Sequence, residues 1–327
     1  EDSVIAFTYE VVINKVDEDG NALSGAAFKL EKKLADGTLK QIGTIESEAG
    51  NVFTFTGLDD GDYILTETKI PAGMKAIDPI EFTVTAEHAI VWNGTERTEV
   101  LTSLTGDVVT GELTFEADND LSTLTGDVKN EEAEKPELEK KIADVNDSEA
   151  TLPEDITAIE NWQDSADYDI GDEVPYRLTA TLADNVTDYL NYHITFEDAM
   201  EKGLTFNGIS KVTVNGTAIQ EKTEETDGYE LTADEHGFSL TLTWTGEEGR
   251  KITDTSLNKA KVEVYFTAIL NEDAILGNEG NVNTAKLVYS CNPNVNENGE
   301  QEDETEETDE DSVIAFTYEV VINKVDE

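Results

Sequence analysis

The sequence predicts an all-β protein: two β-sandwich domains in tandem, with an extra β-strand at the C-terminal end. Three observations carry this. Short runs rich in Val, Ile, Thr, Tyr and Phe alternate apolar with polar residues, Gly, Asp and Asn separate the runs, and 327 residues are long for one sandwich but comfortable for two.

Val11, Ile13 and Lys15 share one face of the first strand, which ends at the Asp17–Gly20 turn. Phe53–Phe55, Tyr63–Glu67, Ile80–Val84 and Leu113–Phe115 keep the rhythm, and Leu121–Asn130 closes a first domain over residues 1–131. Residues 132–136 are charged, end in proline and read as a linker. A second domain, residues 137–295, runs through Val174–Leu182, His193–Phe196, Phe238–Trp244, Ala260–Leu270 and Thr284–Ser290. Residues 296–309 are almost wholly Asn, Glu, Asp, Gly and Thr, too polar to pack, and form an acidic linker.

The C-terminal end is a repeat of the beginning. Glu1–Glu18 reappears without a change at Glu310–Glu327, an offset of 309 residues (310 minus 1). Chance does not produce such an identity. It reads either as a tandem array with that period or as an engineered duplication of the first strand, with the array favoured. In both cases residues 310–327 are expected to be a lone strand without its sheet, able to pair with another molecule or to displace the N-terminal copy.

Charge excludes one class of function. Lys and Arg number 22 against 73 Asp and Glu, a formal net charge of −51, which repels nucleic acid and the anionic faces of membranes. Self-repulsion of that size opposes the compact state, so reinforcement beyond apolar burial is expected. A single cysteine, Cys291, rules out a disulfide framework within the chain. The scattered His88, His193 and His236 make no zinc pattern, and no metal or cofactor is expected. No apolar run is long enough to span a bilayer and the first residues lack a signal-peptide pattern, so the sequence reads as a mature fragment.

Three residues of the first domain stand in the order that an autocatalytic amide bond requires. Lys15 follows Val11 and Ile13, Glu67 follows Tyr63 and Leu65, and Asn130 follows Leu124 and Val128, so strand parity turns all three inward. Singly they would read as a surface lysine, one acid among dozens and a linker asparagine. Together they define a reaction, because burial favours the neutral amine and the neutral acid. Neutral Lys15 attacks the side-chain carbonyl of Asn130, while protonated Glu67 donates a hydrogen bond to its oxygen and then passes a proton to the departing ammonia.

Val11–Lys32 together with "YILTETKIPAGM" (Tyr63–Met74) resembles the Cna B-type domain of sortase-assembled pilins over roughly the first 130 residues. That resemblance implies an immunoglobulin-like (Cna-type) sandwich in which Lys15 bonds Asn130 with help from Glu67. The second domain is similar to the domain that precedes the Cna B-type module in these pilins, through Glu137–Asp144, Tyr168–Leu182, Asp198–Phe206 and Asn283–Asn294. Lys140, between Leu138 and Ile142, is then the candidate nucleophile and Asp198 the acid. Where such domains read Tyr-Ser-Asn this chain reads Tyr289, Ser290, Cys291. A thiol cannot accept the amine, so a second bond is expected only if Asn292 turns inward. Cys291 is otherwise an engineered block, a natural loss or a small core residue.

The function so implied is that of a non-enzymatic shaft module of a Gram-positive surface pilus or fibrous adhesin. Its expected place is outside the cell, attached to the cell wall, with sortase and neighbouring pilin subunits or repeats as partners. Two other readings compete. A ligand-binding adhesin tip calls for aromatic-rich loops, and aromatics are only 7%. An engineered strand-exchange or ligation protein would use residues 310–327, with Lys324 standing in for Lys15.

Overall fold

The computed structural model describes every residue except 1–5, 48, 93–96, 146–151, 154, 225, 297 and 325–327. Two compact units result: residues 1–133 with 294–300, and residues 134–293 with 301–327.

The first unit contains β1 (Tyr9–Val16), β2 (Ala27–Lys33), β3 (Leu39–Glu46), β4 (Val52–Leu58), β5 (Gly61–Lys69), β6 (Ile80–Trp92), β7 (Arg97–Thr110), β8 (Phe115–Asp118) and β9 (Thr123–Lys129). One sheet has the order β4-β1-β9-β8, the other β3-β2-β5-β6-β7. The period-2 pattern of β1 buries Tyr9, Val11, Ile13 and Lys15, which join a core with Phe28, Phe53, Phe55, Tyr63, Leu65, Phe82, Leu124 and Val128. The first and last strands run parallel, with Lys15 opposite Val128. Gly126 lets the chain leading into β8 lie close on β9, because a Cβ there would lie 2.6 Å from Leu113 Cδ1 and 3.0 Å from the carbonyl oxygen of Thr114. The β6–β7 hairpin runs well past the Ile80–Val84 strand read from the sequence, and Ile90 and Val91 on its outer part are exposed. Sequence alternation continues where the core does not.

The second unit contains β10 (Glu137–Ala143), β11 (Trp162–Gln163), β12 (Ser165–Asp167), β13 (Glu173–Thr181), β14 (Asn191–Met200), β15 (Leu204–Val214), β16 (Thr217–Ile219), β17 (Glu230–Asp234), β18 (Gly237–Thr245), β19 (Lys261–Leu270), β20 (Asn281–Ser290), β21 (Thr305–Glu307) and β22 (Asp311–Phe316). One sheet has the order β11-β10-β13-β19-β15-β16 and the other β12-β22-β20-β14-β18-β17, with β21 also paired to β20. Between them lies an apolar core that includes Tyr176, Leu178, Tyr192, Ile194, Phe196, Phe266 and Leu287.

The duplicated segment is not a lone strand. Its first part, β22, lies antiparallel to β20 over Asn281–Ala285 and parallel to β12, with Val313 and Ala315 fully buried. From Tyr318 to Lys324 the same copy joins no sheet. In the N-terminal copy the roles are exchanged: its latter part is β1, while Ala6, the counterpart of Ala315, is exposed. One sequence thus ends one domain type and begins the other. The reason is patterning: Val313 and Ala315 offer an apolar face that the β12–β20 slot buries, and Tyr9, Val11 and Ile13 offer another that fits between β4 and β9.

The acidic stretch 296–309 is likewise not wholly free. Within it β21 pairs with β20, Lys286 Nζ meets Glu307 at 2.6 Å, and Glu306 takes Lys135 Nζ at 2.7 Å and the Tyr289 hydroxyl at 3.0 Å. Local lysines offset the repulsion that the composition suggests.

The two copies of one residue should respond differently to one substitution. Val11→Asp places a carboxylate in an apolar core and is expected to cost the first unit more than about 3 kcal/mol. Val320→Asp, at a side chain 83% exposed, should change stability by no more than about 0.5 kcal/mol. Urea unfolding followed unit by unit measures both.

Candidate functional site

In the first unit the fold brings Lys15, Glu67 and Asn130 together. Lys15 and Asn130 are fully buried and the Glu67 side chain is 1% exposed. Lys15 Nζ donates to Asn130 Oδ1 in a short contact and to the Val128 carbonyl oxygen at 3.1 Å, with Glu67 Oε1 at 3.8 Å. Asn130 Nδ2 donates to Glu67 Oε2 at 3.0 Å and to the Lys75 carbonyl oxygen at 2.8 Å.

The stretch from Thr66 to Lys75 supplies the Glu67 carboxylate and the Lys75 carbonyl. Glu67 comes from β5, facing inward with Tyr63 and Leu65. The chain then turns at Pro71–Met74, where Gly73 has φ +75°, a conformation that favours glycine, and the Met74 amide donates to the Pro71 carbonyl oxygen at 3.1 Å. That turn is tied to the chain just past Asn130 through Lys75 N to Glu131 O at 2.9 Å and Ala133 N to Gly73 O at 2.8 Å. A carbonyl only accepts, so Lys75 O fixes the amide nitrogen on its side and turns the amide oxygen to Lys15.

Glu67 therefore sits against the leaving nitrogen, not against the amide oxygen as the sequence suggested. Its position between Nζ and Nδ2 suits a proton relay. Burial holds the Lys15 amine down at about 8, with Glu67 acting weakly in the other direction. The arrangement can carry out one reaction. Nζ bonds to Cγ of Asn130, the Cγ–Nδ2 bond breaks, and the proton leaving Nζ reaches the departing ammonia through Glu67.

In the second unit Lys140, on β10, and Asp198, on β14, meet in a short buried ion pair, with both side chains fully buried. Tyr176 and Phe266 wall the ammonium, their ring centres 5.6 Å and 5.2 Å from Nζ. Burial lowers the Lys140 pKa and raises that of Asp198, and it outweighs their mutual attraction. Both shifts favour the neutral amine and neutral acid. The backbone N–H of Lys140 donates to Asp311 Oδ2 at 2.7 Å, so the duplicated segment also braces this strand.

The acceptor position differs from the expectation. Cys291 and Asn292 lie beyond the far end of β20, whereas Asp198 is opposite Ala285. At about 3.3 Å per residue Cys291 is roughly 20 Å along the strand from Ala285. Asn292 Nδ2 instead donates to Glu302 and Glu304, and Cys291 is a half-buried free thiol packed at the edge of the core. Register rules both out as partners of Lys140.

Asn283 occupies the place that sequence reasoning missed. It lies opposite Met200, one inward position from the Asp198–Ala285 pair, and is fully buried. Its amide is among the groups that favour the Asp198 carboxylate. The signal was available: the parity that turns Ala285, Leu287 and Tyr289 inward also includes Asn283. Among the described residues no group of side chains is arranged to hold a metal ion.

Two known domain models match parts of the chain, one within each unit. Residues 9–98 match the SpaA prealbumin-like fold domain, and residues 170–293 match the Cna-B-like domain of Gram-positive pilin backbone subunit 2. The first unit thus resembles the prealbumin-like domain and the second the Gram-positive pilin backbone domain. Lys15 and Glu67 fall inside the first match and Asp198 and Asn283 inside the second, while Asn130 and Lys140 lie outside both. The trypsin-resistant surface T6 protein of Streptococcus pyogenes serotype M6 is 27% identical over 173 residues, covering 48% of this chain and 30% of that protein. This chain therefore spans under a third of that relative's length. Among solved structures, the major pilin BcpA of Bacillus cereus overlays at a TM-score of 0.41 with 20% identity, covering 94% of this chain and 69% of that one. The T6 backbone pilin of S. pyogenes overlays at 0.44 with 20% identity, covering 96% and 65%. Among the described residues no helix is long and apolar enough to cross a membrane.

The depressed Lys15 value sets a pH window. Because the folded value lies below the ordinary 10.5, the unreacted unit binds fewer protons than the unfolded chain between about 8 and 10.5, so its stability rises with pH across that window. Bond formation should likewise quicken as pH rises through about 8. Refolding chain kept in denaturant since synthesis, at a series of pH values, and timing ammonia release checks the direction.

Proposed function

We propose that the chain is a shaft module of a Gram-positive surface pilus or fibrous adhesin whose units are locked by autocatalytic isopeptide bonds. Lys15 joins Asn130 with Glu67 as the proton relay, and Lys140 joins Asn283 with Asp198 as the acid. The observation that carries the reading is the buried cluster of Lys15 on the first strand, Glu67 on a middle strand and Asn130 just past the last strand of one sandwich. Neighbouring pilin subunits or repeats, a sortase, and strand exchange through residues 310–327 are the partners this reading implies, and the outer cell wall is its place.

Mechanics follow from the strand order. Tension on the first unit enters at β1 and leaves at β9, which are parallel neighbours, so it acts in shear along their register. A bond from Lys15 to Asn130 carries that tension past everything between them. It also closes a loop of sequence separation 115, worth roughly 5 kcal/mol in the chain-entropy model used for disulfides. In the second unit the bond would join β10 to β20, leaving residues 284–316, with β22, on the loaded side.

Single-molecule stretching between the chain ends tests this. The first unit is expected to give no extension at any force short of bond rupture. The second should yield only residues 284–316, roughly 110 Å at about 3.4 Å per residue. Asn130→Ala and Asn283→Ala should each add the full unfolding length of their unit. Full extension of both units in the unsubstituted chain would refute the proposal.

A further inference from the structure

The second half of the C-terminal copy is a β-strand sequence without a sheet. Thr317 is buried and its carbonyl oxygen accepts from Gly277 N at 2.8 Å, so the chain is tied down to that point. Beyond it Tyr318, Val320, Val321 and Ile322 are 61%, 83%, 68% and 86% exposed. Four apolar side chains in a short exposed run are costly in water and predispose to pairing. The slot that fits them is known, because the same residues fill it in the first unit. There Val11 and Ile13 lie opposite Phe55 and Phe53 of β4 and opposite Leu124 and Gly126 of β9, with Lys15 at the Asn130 amide.

We propose that, where the Asn130 of a second copy has not bonded to its own Lys15, residues 318–324 of one molecule form the first strand of that copy's first unit, seated between its β4 and β9, with Lys324 bonded to its Asn130. This rests on the Lys15–Asn130 reading above and names a partner for the same site: another copy of this chain, joined head to tail. Val320, Ile322 and Lys324 take the places of Val11, Ile13 and Lys15. The displaced residues 9–15 are identical in sequence, so these positions gain and lose the same contacts. The amide bond then decides which strand stays. Lys324 Nζ bonds to Asn130 Cγ, the Cγ–Nδ2 bond breaks, and the proton from Nζ leaves with Nδ2 as ammonia by way of Glu67. A molecule's own Lys15 acts at high effective concentration and wins wherever it is free to react. Exchange between copies therefore dominates once Lys15 is removed.

Lys15→Met keeps most of the buried aliphatic volume and removes the competing amine. Concentrated Lys15→Met protein is expected to give covalent multimers on a denaturing gel, at multiples of the chain mass, with one ammonia lost per junction and a Lys324–Asn130 linked peptide. Lys15→Met with Val320→Asp and Ile322→Asp, which alter only exposed side chains, should give no multimers. In a second measurement, Lys15→Met with Lys324→Ala can only accept and Asn130→Ala can only donate. Refolded together they should yield a dimer and nothing larger, and the donor needs only its exposed segment, so the result does not depend on its first unit folding. Monomer alone in both experiments, with Lys15–Asn130 present in the unsubstituted chain, overturns this inference but not the reading beneath it. A Lys324–Asn130 bond inside monomers, independent of concentration, also overturns it. Absence of the Lys15–Asn130 bond from the unsubstituted chain overturns the reading beneath it.

Discussion

Burial of a lysine amine in an apolar core is the constraint around which each unit is arranged. A lysine with no exposure loses its hydration, so either its charge is matched nearby or its proton is given up. Lys15 has an acid and an amide within reach, and Lys140 has in contact an acid, Asp198, whose strand partner Ala285 lies one inward position from Asn283. In water such groups would be inert toward one another. Packed between aromatic and aliphatic side chains they are held in the forms and positions that amide exchange requires.

The same physics explains why a domain with so acidic a surface can tolerate polar groups inside it. If the lysine and the asparagine become one amide, a buried cation is removed and the two strands that bear the load are fused. Stability that depends on weak contacts is thereby replaced, along the load path, by a bond that does not fluctuate open. In the first unit the parallel pairing of β1 and β9 makes that path short. In the second, the last strand lies beyond the proposed bond.

Strand parity made much of this legible in the sequence. It turned Lys15, Glu67 and Asn130 to one side of their strands, and the structure places all three at one point. It equally turned Lys140 inward, where the structure pairs it with Asp198. What parity lacks is register between strands. The resemblance points to the Cys291 and Asn292 positions, whereas the pairing of β14 with β20 puts Asn283 next along from the partner of Asp198. The orientation of the Asn130 amide was illegible for a similar reason, since it depends on a carbonyl contributed by a turn after Gly73. The repeat was plain in the sequence, but its division between two domain types was not, because each half becomes a strand only when a particular slot accepts it.

That division also makes sense of the period. A segment whose first part ends one sandwich and whose remainder begins the next is what a tandem array of alternating domains would place at each seam, and at such a seam one extended stretch carries tension directly between neighbours. The most direct test of the buried-lysine account is the intact mass of the purified, unsubstituted chain, followed by peptide mapping of the cross-links. The account predicts two ammonia molecules fewer than the sequence requires, with linked peptides joining Lys15 to Asn130 and Lys140 to Asn283. A mass equal to that of the unmodified sequence, with both lysines recovered in linear peptides, would contradict it.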